Sequence, residues 1–166
     1  MKKKIKSVFI IVLCFISIFS FQTFALEKND IEVSNIVLSQ EKINEILALG
    51  NTYTPDERAT GLIVSATAAI NDDHKLLQFV GTILCMTNVV KCGFENIVVQ
   101  RRTSSSSSWT HYYTFDDSYG DTNAHSVVKA VTTNTGYEYR VICNLYAKKN
   151  IFSVERIDMV SNIMAW

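Results

Sequence analysis

Residues 134–145 of the chain have the sequence Asn-Thr-Gly-Tyr-Glu-Tyr-Arg-Val-Ile-Cys-Asn-Leu. A glycine-containing turn sequence leads into a segment in which every second residue is apolar or aromatic. Because side chains alternate between the two faces of a β-strand, this spacing predicts a strand that buries one face. An earlier segment has the same period, and its inward residues are Leu77, Phe79, Ile83 and Cys85. We expect the two inward faces to meet in the core.

From Gly61 onwards the period of two recurs, with turn residues at intervals of about ten residues. β-Branched and aromatic residues are frequent in this region, as they are in strands. The segments with this pattern lie near residues 61–70, 75–87, 94–102, 109–116, 125–133, 137–147 and 151–159. Ser104–Ser108 separates two of them and is expected to form a flexible hairpin tip. The pattern predicts an all-β domain over residues 61–166, a seven-stranded antiparallel sandwich or barrel.

The segment before the sheet, residues 26–60, has a helical period instead. Ser39 is placed as an N-cap and Gly50 as a C-terminal stop around apolar residues with helical spacing. A short N-terminal helix is therefore predicted near residues 40–49. Residues 51–60 contain the only proline, Pro55, and are expected to form a linker.

The first 25 residues have the layout of a secretory signal. Four lysines precede the uncharged apolar stretch Ser7–Phe21, and Thr23-Phe24-Ala25 supplies small residues two positions apart. This organisation predicts a signal peptide, residues 1–25, that is cleaved after Ala25. An uncleaved anchor is the alternative, because the apolar run is near the lower limit of about 17 residues for crossing a bilayer. The mature protein is expected to be secreted or at the cell surface, with membrane contact only through the signal peptide before cleavage.

Composition and charge limit the classes of partner. Apolar residues make up 48% of the chain and charged residues 19%, which is enough apolar material for a packed core. Removing the four leader lysines from 16 basic residues leaves 12 against 16 acidic residues, a formal net charge of −4. An acidic domain lacks the basic stripe that binds a phosphate backbone. Nucleic acid is therefore not an expected partner.

The seven predicted strands resemble those of fibronectin type III and immunoglobulin-like sandwiches. In such domains a tyrosine near the start of the sixth strand hydrogen-bonds to the backbone just upstream, the tyrosine corner, and Tyr139 is the candidate for this role. The signal peptide, the Val-x-Gln-Arg segment at 98–101, the serine-rich tip before Trp109 and the Gly-Tyr-x-Tyr-Arg-Val motif at 136–141 also resemble a family of small secreted proteins from Gram-positive bacteria. The function of that family is uncharacterised. The resemblance implies a sandwich fold and an exported location, but no catalytic residues.

Three cysteines remain after cleavage, so at least one thiol has no partner within the chain. Cys85 and Cys143 lie on the inward faces of the second and sixth predicted strands, the pair that an immunoglobulin domain bridges, and they form one candidate disulfide. A bridge between Cys85 and Cys92 and the absence of any bridge are the alternatives. Cys92 lies in a predicted loop and is expected to be the most exposed thiol.

The sequence offers little for catalysis or metal binding. The acidic segment 116–121 contains carboxylates of the kind that calcium prefers, although a solvated turn is the more common structure for such a segment. His74, His111 and His125 lack the spacing of a zinc site. No nucleophile elbow, phosphate loop or dinucleotide motif occurs in the sequence. We expect no enzymatic activity, no cofactor and no metal.

Aromatic residues crowd the fourth predicted strand. Alternation predicts that Trp109, Tyr113 and Phe115 share the core face. Tyr112 and Tyr119 would then be an exposed pair, suited to stacking on a sugar or contacting a protein. They are the candidate ligand-contact residues.

These predictions combine into one hypothesis, an exported non-enzymatic binding module whose partner is an extracellular protein or glycan. Two alternatives stay open. A secreted hydrolase or toxin-like effector would bring His111 or His125 within hydrogen-bonding distance of an acidic residue or a cysteine. A self-associating extracellular structural protein would expose Ile151, Phe152 and Val154 on a free last strand.

Overall fold

The computed structural model describes residues 36–56 and 61–166, together with the backbone of Val33–Ser34. The predicted signal peptide, the cleavage site after Ala25 and positions 57–60 of the predicted linker lie outside these residues. No helix within the described ranges has both the length and the apolar character needed to cross a bilayer.

The described chain forms eleven strands and one helix, α1 (Gln40–Leu47). In chain order the strands are β1 (Val33–Ser34), β2 (Asn51–Tyr53), β3 (Ile63–Asp73), β4 (Leu76–Cys85), β5 (Lys91–Arg102), β6 (Thr110–Thr114), β7 (Ser118–Gly120), β8 (Ala124–Thr132), β9 (Glu138–Asn150), β10 (Ser153–Val160) and β11 (Met164–Ala165).

The strands pair antiparallel in two sheets. Sheet A has the order β1-β8-β4-β3-β2, and sheet B has the order β10-β9-β5-β6, with β7 also paired to β5 and β11 to β9. The seven longer strands correspond to the seven predicted ones, and the predicted all-β antiparallel class is confirmed. The short strands β1, β2, β7 and β11 are not predicted, because two or three residues show no period.

The inward faces of the two sheets form one core. The inward residues of β4 and β9 that the alternation predicts belong to a single cluster of buried side chains. Tyr139 is fully buried, and its hydroxyl accepts a hydrogen bond from the Asn134 N–H at 3.0 Å and donates to the Asn134 carbonyl at 3.3 Å. These are the hydrogen bonds predicted for a tyrosine corner.

Helix α1 packs on the outer face of sheet A. Ser39 caps it, because its hydroxyl accepts from the Lys42 N–H at 3.2 Å. Ile46 is fully buried against Ala69 and Val80. The chain then continues directly into β2, which pairs with β3. Residues 51–53, predicted as linker, are therefore a strand instead, because they add their backbone hydrogen bonds to the edge of β3.

The strand ends define two ends of the molecule. At the end that we call the polar end, the turn His74–Lys75 meets the β8–β9 loop, since the Thr133 N–H donates to the Lys75 carbonyl at 2.7 Å. At the other end, the apolar end, the β4–β5 loop meets β9, since the Val90 N–H donates to the Lys148 carbonyl at 2.9 Å. The β9–β10 turn, Ile151–Phe152, lies at the apolar end.

Candidate functional site

The turn between β9 and β10 exposes two large apolar side chains. Ile151 is 76% exposed and Phe152 is 92% exposed. The Asn150 side-chain oxygen accepts a hydrogen bond from the Phe152 N–H at 2.9 Å, which fixes the turn backbone. Glycine, asparagine, aspartate and serine are the usual residues of tight turns. Turn geometry therefore does not account for an isoleucine and a phenylalanine at this position.

Further exposed apolar side chains lie on neighbouring segments of the apolar end. Val154 pairs with Lys148 across β9 and β10, and Lys148 is hydrogen-bonded through its carbonyl to Val90. Val90 is 55% exposed, and the buried side chain of Val89 holds its loop in the core. The exposed set, which we call the apolar patch, consists of Met86, Val90, Ile151, Phe152 and Val154.

Three lysines flank the apolar patch. Lys91 and Lys148 face each other across β5 and β9, and the next residue after Lys148 is the exposed Lys149. The Lys91 ammonium lies 4.1 Å from the centre of the Tyr119 ring. The nearby carboxylate of Glu155 accepts hydrogen bonds from the N–H groups of residues 62 and 63, so it is directed towards the chain. Positive charge therefore borders the apolar side chains.

Tyr119, one of the two candidate ligand-contact residues, lies next to these lysines on the outer face of sheet B. Its ring meets Tyr146 edge to face at 5.4 Å. Its hydroxyl donates to Glu95 at 2.9 Å and to Asp117 at 3.1 Å. Burial, followed by these two carboxylates, raises the pKa of Tyr119. Tyr119 is half-buried, and it is already bound to neighbouring side chains on several sides. Its contact with a ligand stays a prediction.

Tyr112, the other candidate, is buried, and its predicted exposure is wrong. It is 9% exposed, donates to the Thr132 carbonyl at 2.8 Å and packs edge to face on Tyr139. The cause is a bulge: Val99 pairs with Tyr113 but Gln100 pairs with His111, so Tyr112 is an extra residue in β6. An extra residue resets the alternation of a strand, and here it turns Tyr112 and Tyr113 both towards the core.

The same shift removes Trp109 from the core, contrary to the prediction. The guanidinium groups of Arg102 and Arg140 each lie 4.4 Å from the centre of its ring. Trp109 is thus half-buried by cation–π contacts rather than by the other sheet.

The three described cysteines are buried free thiols. Cys85 has Cys92 as its interacting neighbour, so the structure brings together the local pair and leaves the candidate pair Cys85 and Cys143 unbridged. Burial, followed by the influence of Cys92, raises the pKa of Cys85 to about 12, and burial raises the pKa of Cys143 to about 12. The predicted exposure of Cys92 is wrong, because β5 begins at Lys91 and turns the Cys92 side chain into the core.

His111 and His125 bond to hydroxyl groups, and the exposed His74 lies 3.9 Å from the Asp73 carboxylate. His125 Nε2 lies 2.8 Å from Ser118 Oγ, and His111 Nε2 lies 2.9 Å from Thr114 Oγ1. In the acidic segment 116–121, Asp117 accepts from the Asn96 N–H at 2.8 Å. Among the described residues, no group of three or more histidine, cysteine or acidic side chains is arranged to hold a metal ion.

A shallow groove of about 400 Å3 runs over the outer face of sheet A. Four hydroxyl side chains of β3, β4 and β8 line it together with Leu84 and His125, namely those of Ser65, Thr67, Thr82 and Ser126. The Thr67 hydroxyl also lies 3.2 Å from that of Thr52. Water solvates exposed hydroxyls well, whereas exposed apolar patches mark interaction sites. The apolar patch is therefore the stronger candidate for a functional surface.

Comparisons of the chain with protein-family models, curated proteins and solved structures found no match.

Proposed function

We propose that this protein is an exported, non-enzymatic binding module that engages its partner through the apolar patch. The observation that carries the proposal is the near-complete exposure of Phe152 beside Ile151 at the tip of the β9–β10 hairpin. Burying a side chain of this size contributes about 1.5–3 kcal/mol. A partner that covers the tip would bury this side chain, and the burial would stabilise the complex by about that amount. In the folded chain alone, the side chain is exposed to water.

The proposal includes an immunoglobulin- or fibronectin-like sandwich as the scaffold. Strand order supports it, since the first, second and fifth long strands share sheet A, while the third, fourth, sixth and seventh share sheet B. The Tyr139 hydrogen bonds to Asn134 support it as well. On such a scaffold, loops and turns at the ends of the sandwich carry recognition. The resemblance to small secreted Gram-positive proteins belongs to the same proposal.

The test is binding of the exported chain to envelopes of the cells that produce it. The chain is purified from the medium. Its measured mass is expected to equal that of a chain that begins at Leu26. We expect it to pellet with the envelopes and Phe152→Ser to stay in the supernatant. The control Val37→Ser removes an apolar side chain that is 99% exposed next to helix α1, and it should pellet like the parent. Equal pelleting of the parent and Phe152→Ser, or no pelleting of the parent, would contradict the proposal.

The hydrolase alternative requires a histidine beside an acidic residue or a thiol. The partners of His111 and His125 are instead the hydroxyls of Thr114 and Ser118. A serine bonded to a histidine is also the nucleophile and base of serine hydrolases, in which a third group orients the histidine. Among the described residues, no carboxylate hydrogen-bonds to the ring of His125, so the pair lacks that third group.

Self-association is a second candidate function, and one observation favours it. β10 lies at the edge of sheet B, and Ile151, Phe152 and Val154 are exposed. An unpaired edge strand is a template for pairing with another chain. Sedimentation equilibrium over a hundredfold range of concentration tests it: a mass that rises with concentration supports self-association, and a constant monomer mass contradicts it.

A further inference from the structure

We infer that the partner of the apolar patch is the surface of an anionic lipid bilayer, into which the β9–β10 turn inserts. This inference rests on the proposed function and names its partner. It differs from the sequence expectation that only the signal peptide contacts a membrane.

The shape of the site favours a lipid surface over a protein partner. Ile151 and Phe152 protrude at the tip of a two-residue turn closed by the pair Asn150 and Ser153. A protruding apolar tip enters the soft boundary between headgroups and acyl chains without a preformed pocket. Binding at this boundary strengthens with buried apolar area and with attraction to anionic lipids.

The charges around the tip favour the same partner. Lys148 and Lys149 lie three and two residues before Ile151, and Lys91 faces Lys148 from the neighbouring strand. Lysine is depleted in the cores of protein interfaces. Next to an anionic membrane, in contrast, each basic residue strengthens binding, and long lysine side chains reach the headgroups while the apolar tip goes deeper. The carboxylate of Glu155, which the backbone N–H groups of residues 62 and 63 hold, keeps its negative charge and offsets one of the three lysines. Three positive charges and one negative charge leave these four side chains with a formal charge of +2.

The opposite end of the molecule supplies an internal reference. Both tryptophans lie there: Trp109 precedes β6, and Trp166 accepts a hydrogen bond from the Gly136 N–H at 2.6 Å. If the apolar end faces the bilayer, both should stay remote from lipid. A Phe152→Trp variant places a third indole at the tip.

The experiment uses the processed chain and vesicles of phosphatidylglycerol and phosphatidylcholine with brominated acyl chains, which quench nearby tryptophan. We expect the added emission of Phe152→Trp to shift to the blue and to be quenched, while the emission of the parent chain is unchanged. In sedimentation with the same vesicles, Phe152→Ser should bind at least about tenfold more weakly, since a lost phenylalanine burial is worth a factor of ten or more. The Lys148→Gln/Lys149→Gln variant should also bind about tenfold more weakly, and Val37→Ser should bind like the parent.

Three results would overturn the inference: no quenching of Phe152→Trp, no binding of the parent chain to the anionic vesicles, or equal binding of Phe152→Ser. If the parent chain still pellets with envelopes from which lipid has been extracted, and Phe152→Ser does not, the partner is a protein or glycan. The lipid inference then fails while the binding module stands. If the parent chain binds neither the vesicles nor the envelopes, both the lipid inference and the proposed function fail.

Discussion

The two ends of the sandwich are built from the same strands but close them with different residues. At the polar end, His74 and Lys75 adopt positive φ values of 52° and 74°, and Gly136 has a φ of 86°. A two-residue hairpin with two positive φ angles matches the right-handed twist of the strands it joins. At the apolar end, Ile151 and Phe152 occupy the corresponding turn between β9 and β10. The twist of the strands explains the backbone of the polar-end turn, although His74 and Lys75 are not glycine. It does not explain why the turn at the apolar end exposes two large apolar side chains.

The largest expected effect is that of Gly93→Ala, near the apolar end. A Cβ at residue 93 would lie 2.0 Å from the Ser118 carbonyl oxygen and 2.8 Å from the Tyr119 Cα. Backbone cannot yield as a flexible side chain does, so β7 would have to leave β5. We expect a loss of about 3 kcal/mol in the free energy of unfolding, measured with urea.

Gly136→Ala is the matched change at the polar end. A Cβ there meets nothing within 4 Å, so the only cost is the positive φ of 86°. That conformation costs about 1–2 kcal/mol for a residue with a Cβ. If Gly136→Ala proved more damaging than Gly93→Ala, the close approach of β5 and β7 would not be what stabilises the apolar end.

Tyr139→Phe should have a smaller effect than Gly93→Ala. It removes a buried hydroxyl that bonds both backbone groups of Asn134, and we expect a loss of about 1–2 kcal/mol. Tyr137→Phe is the control, because its hydroxyl has no hydrogen bond recorded within the described chain and its ring keeps the contact with Arg101 at 4.6 Å. Chemical denaturation should give a lower free energy of unfolding for Tyr139→Phe than for Tyr137→Phe. Equal stabilities would mean that the hydrogen bonds of the Tyr139 hydroxyl to Asn134 do not stabilise the β8–β9 loop.

The long strands could be predicted from the sequence because a period of two is a local property. The inward faces of β4 and β9 follow from it directly, and so does the capping of α1 by Ser39. What could not be predicted depends on a partner strand. The bulge at Tyr112 exists only in the register of β6 against β5. Cys92 is buried because Lys91 pairs with Lys148 and extends β5 into the predicted loop.

The sequence pattern places Ile151 and Phe152 in a last strand, where their exposure is expected only for self-association, and it does not predict the turn that they form. Residues 148–150, Lys-Lys-Asn, are polar and predict a break, but they extend β9, and the turn follows at Ile151–Phe152. Residues that usually form turns thus lie in a strand, and residues that usually form strands lie in a turn. A mismatch of this kind is the signal that could have found the site, since local rules fail most often where a sequence serves function.

Lowering the pH should reduce the stability of the folded chain through His125, which lies near the start of β8 at the apolar end. Burial lowers the pKa of His125 below its ordinary value of 6.5. The unfolded chain then binds a proton that the folded chain does not, so stability falls as the pH drops through 6.5. We expect a lower melting temperature at pH 5.5 than at pH 7.5, a range that lies above most carboxyl titration. His125→Gln should be much less sensitive over this range, and an unchanged sensitivity in that variant would assign the effect to another group.

The smallest expected change in the free energy of unfolding is that of the variant at the β9–β10 turn, and it tests the difference between the two ends most directly. Replacing Ile151 and Phe152 by serine should change the free energy of unfolding by less than about 0.5 kcal/mol, because exposed side chains contribute little to folding. Val89→Ala, a buried position at the same end, should cost about 2 kcal/mol by the same measurement. Comparing the two variants distinguishes apolar residues that stabilise the fold at this end from apolar residues that are exposed there without stabilising it. If the serine variant were destabilised by more than about 1 kcal/mol, the turn would pack against the chain in solution. Its apolar residues would then serve folding, as the turn residues of the polar end do.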